Sequence, residues 1–149
     1  MFDIYLTDRA VPESDGYAVY GTVILNDYSE TFVASLVDWS PVDYRRQWGK
    51  ASQRLFEGYD RSALVASYVR PPDSEFLMWW LMYREGEVVH VRNELLPYSQ
   101  LATPFSIDDP WSSIRDRTVR TEDGFEISEW DVPIEEFSKF IERCKTKAF

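Results

Sequence analysis

His90 is the only histidine in this 149-residue chain, and Cys144 is the only cysteine. These two side chains carry whatever base or nucleophile chemistry the sequence offers near neutral pH. His90 falls in the middle of a strand pattern, with no serine or cysteine at a spacing that suggests a nucleophile and its base. It reads as a partly exposed strand residue. Cys144 stands between Arg143 and Lys145, whose charges favour a thiolate, but at a helix C-terminus, whose dipole opposes one. It reads as a small apolar helix residue. Carboxylates are paired at Asp108-Asp109, Glu122-Asp123 and Glu135-Glu136. Neighbours on a strand point to opposite faces, so adjacency alone does not build a site. Glu122-Asp123 leads into Gly124 and fits a hairpin turn. Glu135-Glu136 suits the first turn of a helix, where the dipole favours anions. The six glycines fall singly, so no glycine-rich phosphate loop is present. One histidine cannot make a His-rich metal site, and one cysteine cannot make an internal disulfide. The expectation is a protein without catalytic residues, metal ligands or a bound cofactor. Asp108-Asp109 remains as the candidate pair for a small hydrolase.

Composition narrows the partners. The chain carries 26 acidic and 16 basic residues, a net charge of −10. Such a surface repels nucleic-acid phosphates and anionic membranes and favours a basic protein. Residues 1–44 hold eight acids against one base, residues 45–92 eight bases against six acids, and residues 93–149 twelve acids against seven bases. The negative charge therefore sits at the two ends. No apolar run approaches the ~18 residues of a membrane helix, and the opening Met1-Phe2-Asp3-Ile4-Tyr5 lacks the pattern of a secretory signal. Length and a 44% hydrophobic content point to one globular domain over residues 1–149, in the cytoplasm.

The elements that must hold these residues follow from periodicity. Phe2, Ile4 and Leu6 alternate with polar partners, as in a half-buried strand, and residues 9–16 read as a loop. Residues 17–37 read as a hairpin with a polar tip at 26–30. Ser40, Pro41 and Asp43 open a helix: a serine cap, proline at the first position, and an acid that caps back. Tyr44, Trp48, Ala51 and Leu55 form its apolar stripe, Gly58 ends it, and Arg45, Arg46, Lys50 and Arg54 face outward. Strands follow at Ser62–Val69 and Phe76–Tyr83, the second apolar at every position and so buried on both faces. The strand through Val89, Val91 and Leu95 has a wetter side at Val88, His90, Arg92 and Glu94. Residues 97–116 are irregular, with three prolines. A turn at Glu122-Asp123-Gly124 leads to an expected strand at Phe125–Trp130. Pro133 opens a last helix with Ile134, Phe137 and Ile141 inward and Lys139, Arg143, Lys145 and Lys147 toward its basic end. The order argues an α+β fold: an antiparallel sheet of hairpins with a central and a C-terminal helix packed on it.

An ordered set of segments carries a resemblance. It runs from Leu25-Asn26-Asp27-Tyr28 through Trp39-Ser40-Pro41, Tyr44 and Gln47-Trp48 to Ser62-Ala63-Leu64-Val65-Ala66-Ser67. It continues with Trp80-Leu81-Met82-Tyr83-Arg84, Val91-Arg92-Asn93 and Ile127-Ser128-Glu129-Trp130. The set resembles the immunity proteins of bacterial contact-dependent growth inhibition (CDI) systems, of the type paired with a colicin-like, ribosomal-RNA-cleaving Enterobacter toxin. The resemblance implies a cytoplasmic protein that binds the C-terminal toxin domain of a large effector, a basic nuclease, and neutralises it stoichiometrically without chemistry. Acidic charge fits that independently, since a surface that grips nucleic acid is basic. Exposed acid beside an aromatic anchor marks the expected toxin contacts. These are Asp27, Tyr28 and Glu30 on the first tip, Asp108, Asp109 and Trp111 in the irregular segment, and Glu122 and Asp123 on the second tip. Trp111 reads either as a plug that closes its own loop, the commoner role for such a residue, or as an interface anchor. The alternative is an adaptor or scaffold domain for some other basic protein, also non-catalytic.

Overall fold

A computed structural model describes residues 1–146. The elements run β1 (Phe2–Ala10), β2 (Ala18–Leu25), β3 (Tyr28–Ser35), α1 (Pro41–Arg54), β4 (Arg61–Ser67), β5 (Phe76–Glu85), β6 (Val88–Pro97), β7 (Trp130–Pro133) and α2 (Ile134–Thr146). Short 3-10 turns at Tyr98–Gln100 and Pro110–Ser113 interrupt the long connection from β6 to β7. The α+β class holds, with every strand pair antiparallel. The strands divide between two sheets, β1-β2-β3 and β4-β5-β6-β7.

Helix α1 is the element most directly written in the chain. Ser40 accepts from the Asp43 backbone N–H, and Asp43 accepts back from the Ser40 N–H at 2.8 Å, a closed capping box before Pro41. Tyr44, Trp48, Ala51 and Leu55 are all buried. Polar groups on the same helix lock it to the edge of β4. The Gln47 amide donates to the Ala63 carbonyl (2.8 Å) and accepts from the Val65 N–H (2.9 Å), and the Trp48 indole donates to the Val65 carbonyl (2.7 Å). In the opposite sheet Gly21 pairs with Phe32. A Cβ at Gly21 would lie 2.4 Å from the Phe32 ring, and that ring meets Trp48 edge-on at 6.3 Å.

Register explains why β5 is apolar from Phe76 to Tyr83. One face of the four-stranded sheet carries Val65, Trp79, Leu81 and Tyr83 in line with Glu94, Arg92 and His90, and the opposite face carries Leu64, Trp80 and Met82 in line with Asn93, Val91 and Trp130. The second face packs against the first sheet: Trp130 lies between Trp80 (6.0 Å) and the stacked ring of Tyr28 (4.5 Å). The first face is crossed by the long connection, which acts as a strap. Tyr83 Oη donates to the Arg115 carbonyl (2.8 Å), Arg92 donates to the Thr118 carbonyl, Arg115 meets Glu94 (2.9 Å), and the Phe105 ring packs on Trp79 (6.3 Å).

Several expected boundaries shift, among them β4, which ends at Ser67 rather than Val69, and α1, which ends at Arg54 rather than Gly58. The strand expected at Phe125–Trp130 forms only at Trp130–Pro133, and the turn before it keeps a single bridge, Arg120 to Glu126. Phe125 is 72% exposed: with no apolar layer beneath it, the alternation in that segment has nothing to bury against. Residues 9 and 10 extend β1 rather than opening a loop. Pro133 ends β7, and α2 turns Ile134, Phe137 and Phe140 inward, with Ile141 half-buried. Phe140 wins because Phe2 inserts between it and Phe137, at ring distances of 5.1 and 4.2 Å. Lys147 lies outside the described residues. No helix among the described residues is long and apolar enough to cross a membrane.

Candidate protein-binding surface

The first hairpin tip is a two-residue turn, Asn26-Asp27, closed by Leu25 pairing with Tyr28. Asn26 takes a positive φ of 60°, which asparagine tolerates better than most residues. Its side chain donates to the Asp131 carbonyl on β7 at 2.7 Å, tying one sheet to the other. Tyr28 stacks on Trp130 and donates its hydroxyl to Glu30 Oε1 at 3.1 Å. Burial first, then that carboxylate, raises the Tyr28 pKa. The second Glu30 oxygen accepts from Asn93 at 3.4 Å. Asp27 is exposed, and Tyr28 and Glu30 are half-buried. The tip thus holds its charges in a fixed place.

Asp108 and Asp109 are exposed on the strap. Asp108 borders a groove lined by Tyr68, Tyr98 and Phe105, whose rings meet at 5.3 to 6.5 Å. Trp111 is half-buried against the core, and the Arg54 guanidinium lies 4.7 Å from its ring. Arg54 also covers Tyr59 at 3.7 Å, so Trp111 seals the end of α1. Glu122 and Asp123 are fully outside, on a turn closed by the Thr121 N–H on the Phe125 carbonyl (2.8 Å). The eight expected contacts therefore rest on three separate supports: the first sheet, the strap and the second turn.

Sequence reasoning missed a charged node where the strap meets β6. Arg92 is only 2% exposed. Its guanidinium bonds to Glu129 through both Nε and Nη2, and Arg117 grips the same carboxylate at 3.1 and 2.7 Å. Burial alone would raise the Glu129 pKa, but the hydrogen bonds from Arg117 and Arg92 outweigh it, so the carboxyl titrates below its ordinary range. Beside this node the His90 ring faces Asp131 Oδ1 through Nδ1 (2.7 Å) and Glu85 Oε2 through Nε2 (3.4 Å). His90, Glu129 and Asp131 bring donor atoms within 4.8 Å of one another. Two guanidiniums already hold Glu129, so this cluster is balanced as an ion-pair network, not arranged to receive a metal cation. The alternation of β6 placed His90, Arg92 and Glu94 on one side. Apart from Glu85, five residues before His90, their partners lie 21 to 41 residues away in sequence, and only tertiary structure joins them.

Three comparisons bear on what this surface serves. The chain is 29% identical over 130 residues to "Immunity protein CdiI" of Enterobacter cloacae, which covers 87% of this chain and 89% of that protein. A chain of the solved "CdiA-CT/CdiI toxin and immunity complex from Enterobacter cloacae" superposes with a TM-score of 0.88 at 27% identity, over 99% of this chain and 100% of that one. The model of the CdiI N-terminal domain matches residues 34–140. With the fold, the aromatic stack and the charged node all inside the matched range or packed on it, the chain belongs to the CdiI N-terminal domain family of immunity proteins.

Proposed function

We propose that this protein binds the C-terminal toxin domain of its cognate CDI effector in the cytoplasm and neutralises it as a stoichiometric, non-catalytic complex. The observation that supports this most directly is the near-complete superposition on a chain of a toxin–immunity complex. The net charge of −10 suits a basic nuclease as the toxin, because opposite fields speed capture, and capture must outrun RNA cleavage. Neither a nucleic acid nor a membrane is a partner in this reading.

Asp27, Tyr28, Glu30, Asp108, Asp109, Trp111, Glu122 and Asp123 enter this proposal with a division of labour. The carboxylates of Asp27, Glu30, Asp108, Asp109, Glu122 and Asp123 meet toxin cations. Tyr28 and Trp111, each half-buried, hold the backbone that presents them. Titration of purified protein with the toxin domain of the adjacent effector gene tests the reading by calorimetry. A one-to-one complex with a dissociation constant in the nanomolar range, weakening as salt rises, is expected. No complex at micromolar concentrations overturns it.

A further inference from the structure

An antiparallel sheet has backbone N–H and C=O groups that must be paired or solvated, and its edges are where they run out of partners. Hydrogen bonds outside the ladders fix which residues point outward here. Leu36 N–H donates to the Tyr17 carbonyl, and Asn26 N–H to the Met1 carbonyl. Carried along the register, these bonds place the even residues of β3 toward β2, so Ser29, Thr31, Val33 and Ser35 direct their backbone groups away from the sheet. The other edges are covered in part. On β4, Gln47, Trp48 and Arg54 bind the outward groups of Ala63, Val65 and Arg61. On β7, Asn26 binds the Asp131 carbonyl, and Pro133 has no N–H to offer. On β1, Arg143 binds the Phe2 carbonyl, and the Asp3 side chain accepts from the Ile4 N–H. Even Ser35 is capped, by the Ser67 hydroxyl on its N–H and the Tyr44 hydroxyl on its carbonyl. Among the described residues, the outward groups of Ser29, Thr31 and Val33 form a three-position run without such cover, and all three residues are exposed.

We propose that this open run of β3 accepts an extended strand of the toxin domain, which joins the first sheet edge-on. The inference rests on the immunity reading above and says how the partner is held. Charge selects a basic strand over a second copy of this chain. Each copy carries −10, so self-pairing brings two acidic surfaces together. Glu30 lies within the open run and receives only the neutral donors Tyr28 and Asn93. A lysine or arginine on the inner face of the added strand supplies its missing counter-charge. Asp27 stands exposed at the end of the same strand and meets a second cation. Main-chain bonds supply the hold, and the cation positions supply the selectivity.

Amide hydrogen exchange on the full chain, with and without an inactivated toxin domain, is the test. Exchange at Thr31 and Val33 is expected to slow at least tenfold on binding. Thr31→Pro removes an outward N–H while leaving the ladder N–H groups of Glu30 and Phe32 in place. It is expected to weaken toxin binding at least tenfold, whereas Thr31→Ala stays within threefold of the native protein. If Thr31→Pro fails to fold, the exchange result decides alone. Toxin that binds with Thr31 and Val33 exchanging unchanged overturns the strand pairing and leaves the immunity reading standing. Protection that grows with protein concentration in the absence of toxin overturns it in favour of a second copy. No binding by the native protein overturns both readings.

Discussion

The two faces of the four-stranded sheet are closed by different physics. On one, Trp80, Trp130 and Tyr28 stack between sheets, with the Glu30 carboxylate at the rim on Tyr28 and Asn93. On the other, a strap with little regular structure is pinned by Arg92, Glu129, Arg117 and Tyr83. The aromatic face draws its hold mainly from apolar burial, which depends little on pH or on charge screening. The strapped face depends on charges whose desolvation must be matched by good geometry, so it is the conditional half of the molecule.

Substitutions separate the two. Trp80→Ala empties a fully buried ring site and is expected to lower the unfolding free energy by about 3–5 kcal/mol in a denaturant titration. Glu129→Ala strands the buried Arg92 guanidinium and should cost about 3 kcal/mol. The double change Arg92→Met with Glu129→Leu should recover much of that loss, because an apolar pair replaces a desolvated one. Recovery by an equivalent repair is not expected on the aromatic face.

Acid sharpens the contrast. Glu129 titrates below the ordinary value of 4.5, so its stabilisation is complete above that value and fades as pH falls through the folded-state pKa. Amides of residues 111–128 should lose protection, measured against the free-chain exchange rate at the same pH, as pH falls below that value, ahead of those in β2 and β3. Equal acceleration in both regions would deny the division. Smaller again is Asn26→Ala, which removes the bond to the Asp131 carbonyl and should cost about 1 kcal/mol. The double change Glu122→Gln and Asp123→Asn should move stability by less than about 0.5 kcal/mol, because both side chains are exposed.

The same contrast sets what the sequence could reveal. Local rules sufficed for the cap and apolar stripe of α1, though the helix ends at Arg54, ahead of the expected stop at Gly58, and for the first hairpin. They sufficed for β5 as a doubly buried strand, though not for what buries it. The strap carries no period because its backbone is satisfied by side chains from β4, β5 and β6, and no local pattern records a partner tens of residues distant. That is why Phe125–Trp130 reads as a strand and folds as a turn and an approach to β7. The acidic tips were legible as composition. Whether they present charge depends on supports such as Trp130 under Tyr28, which only the folded register reveals. The open edge of β3 was invisible for the same reason: every strand looks equally unpaired until its neighbours are known.

Gly21 leaves a last consequence. The space of its absent side chain belongs to the Phe32 ring, and that ring leans on Trp48 of α1. Hairpin and helix are therefore a matched set. A chimera that grafts residues 18–35 from a relative onto this scaffold will seat its helix only if glycine and the aromatic travel together, so exchanging this hairpin between immunity proteins means transplanting part of the interior as well.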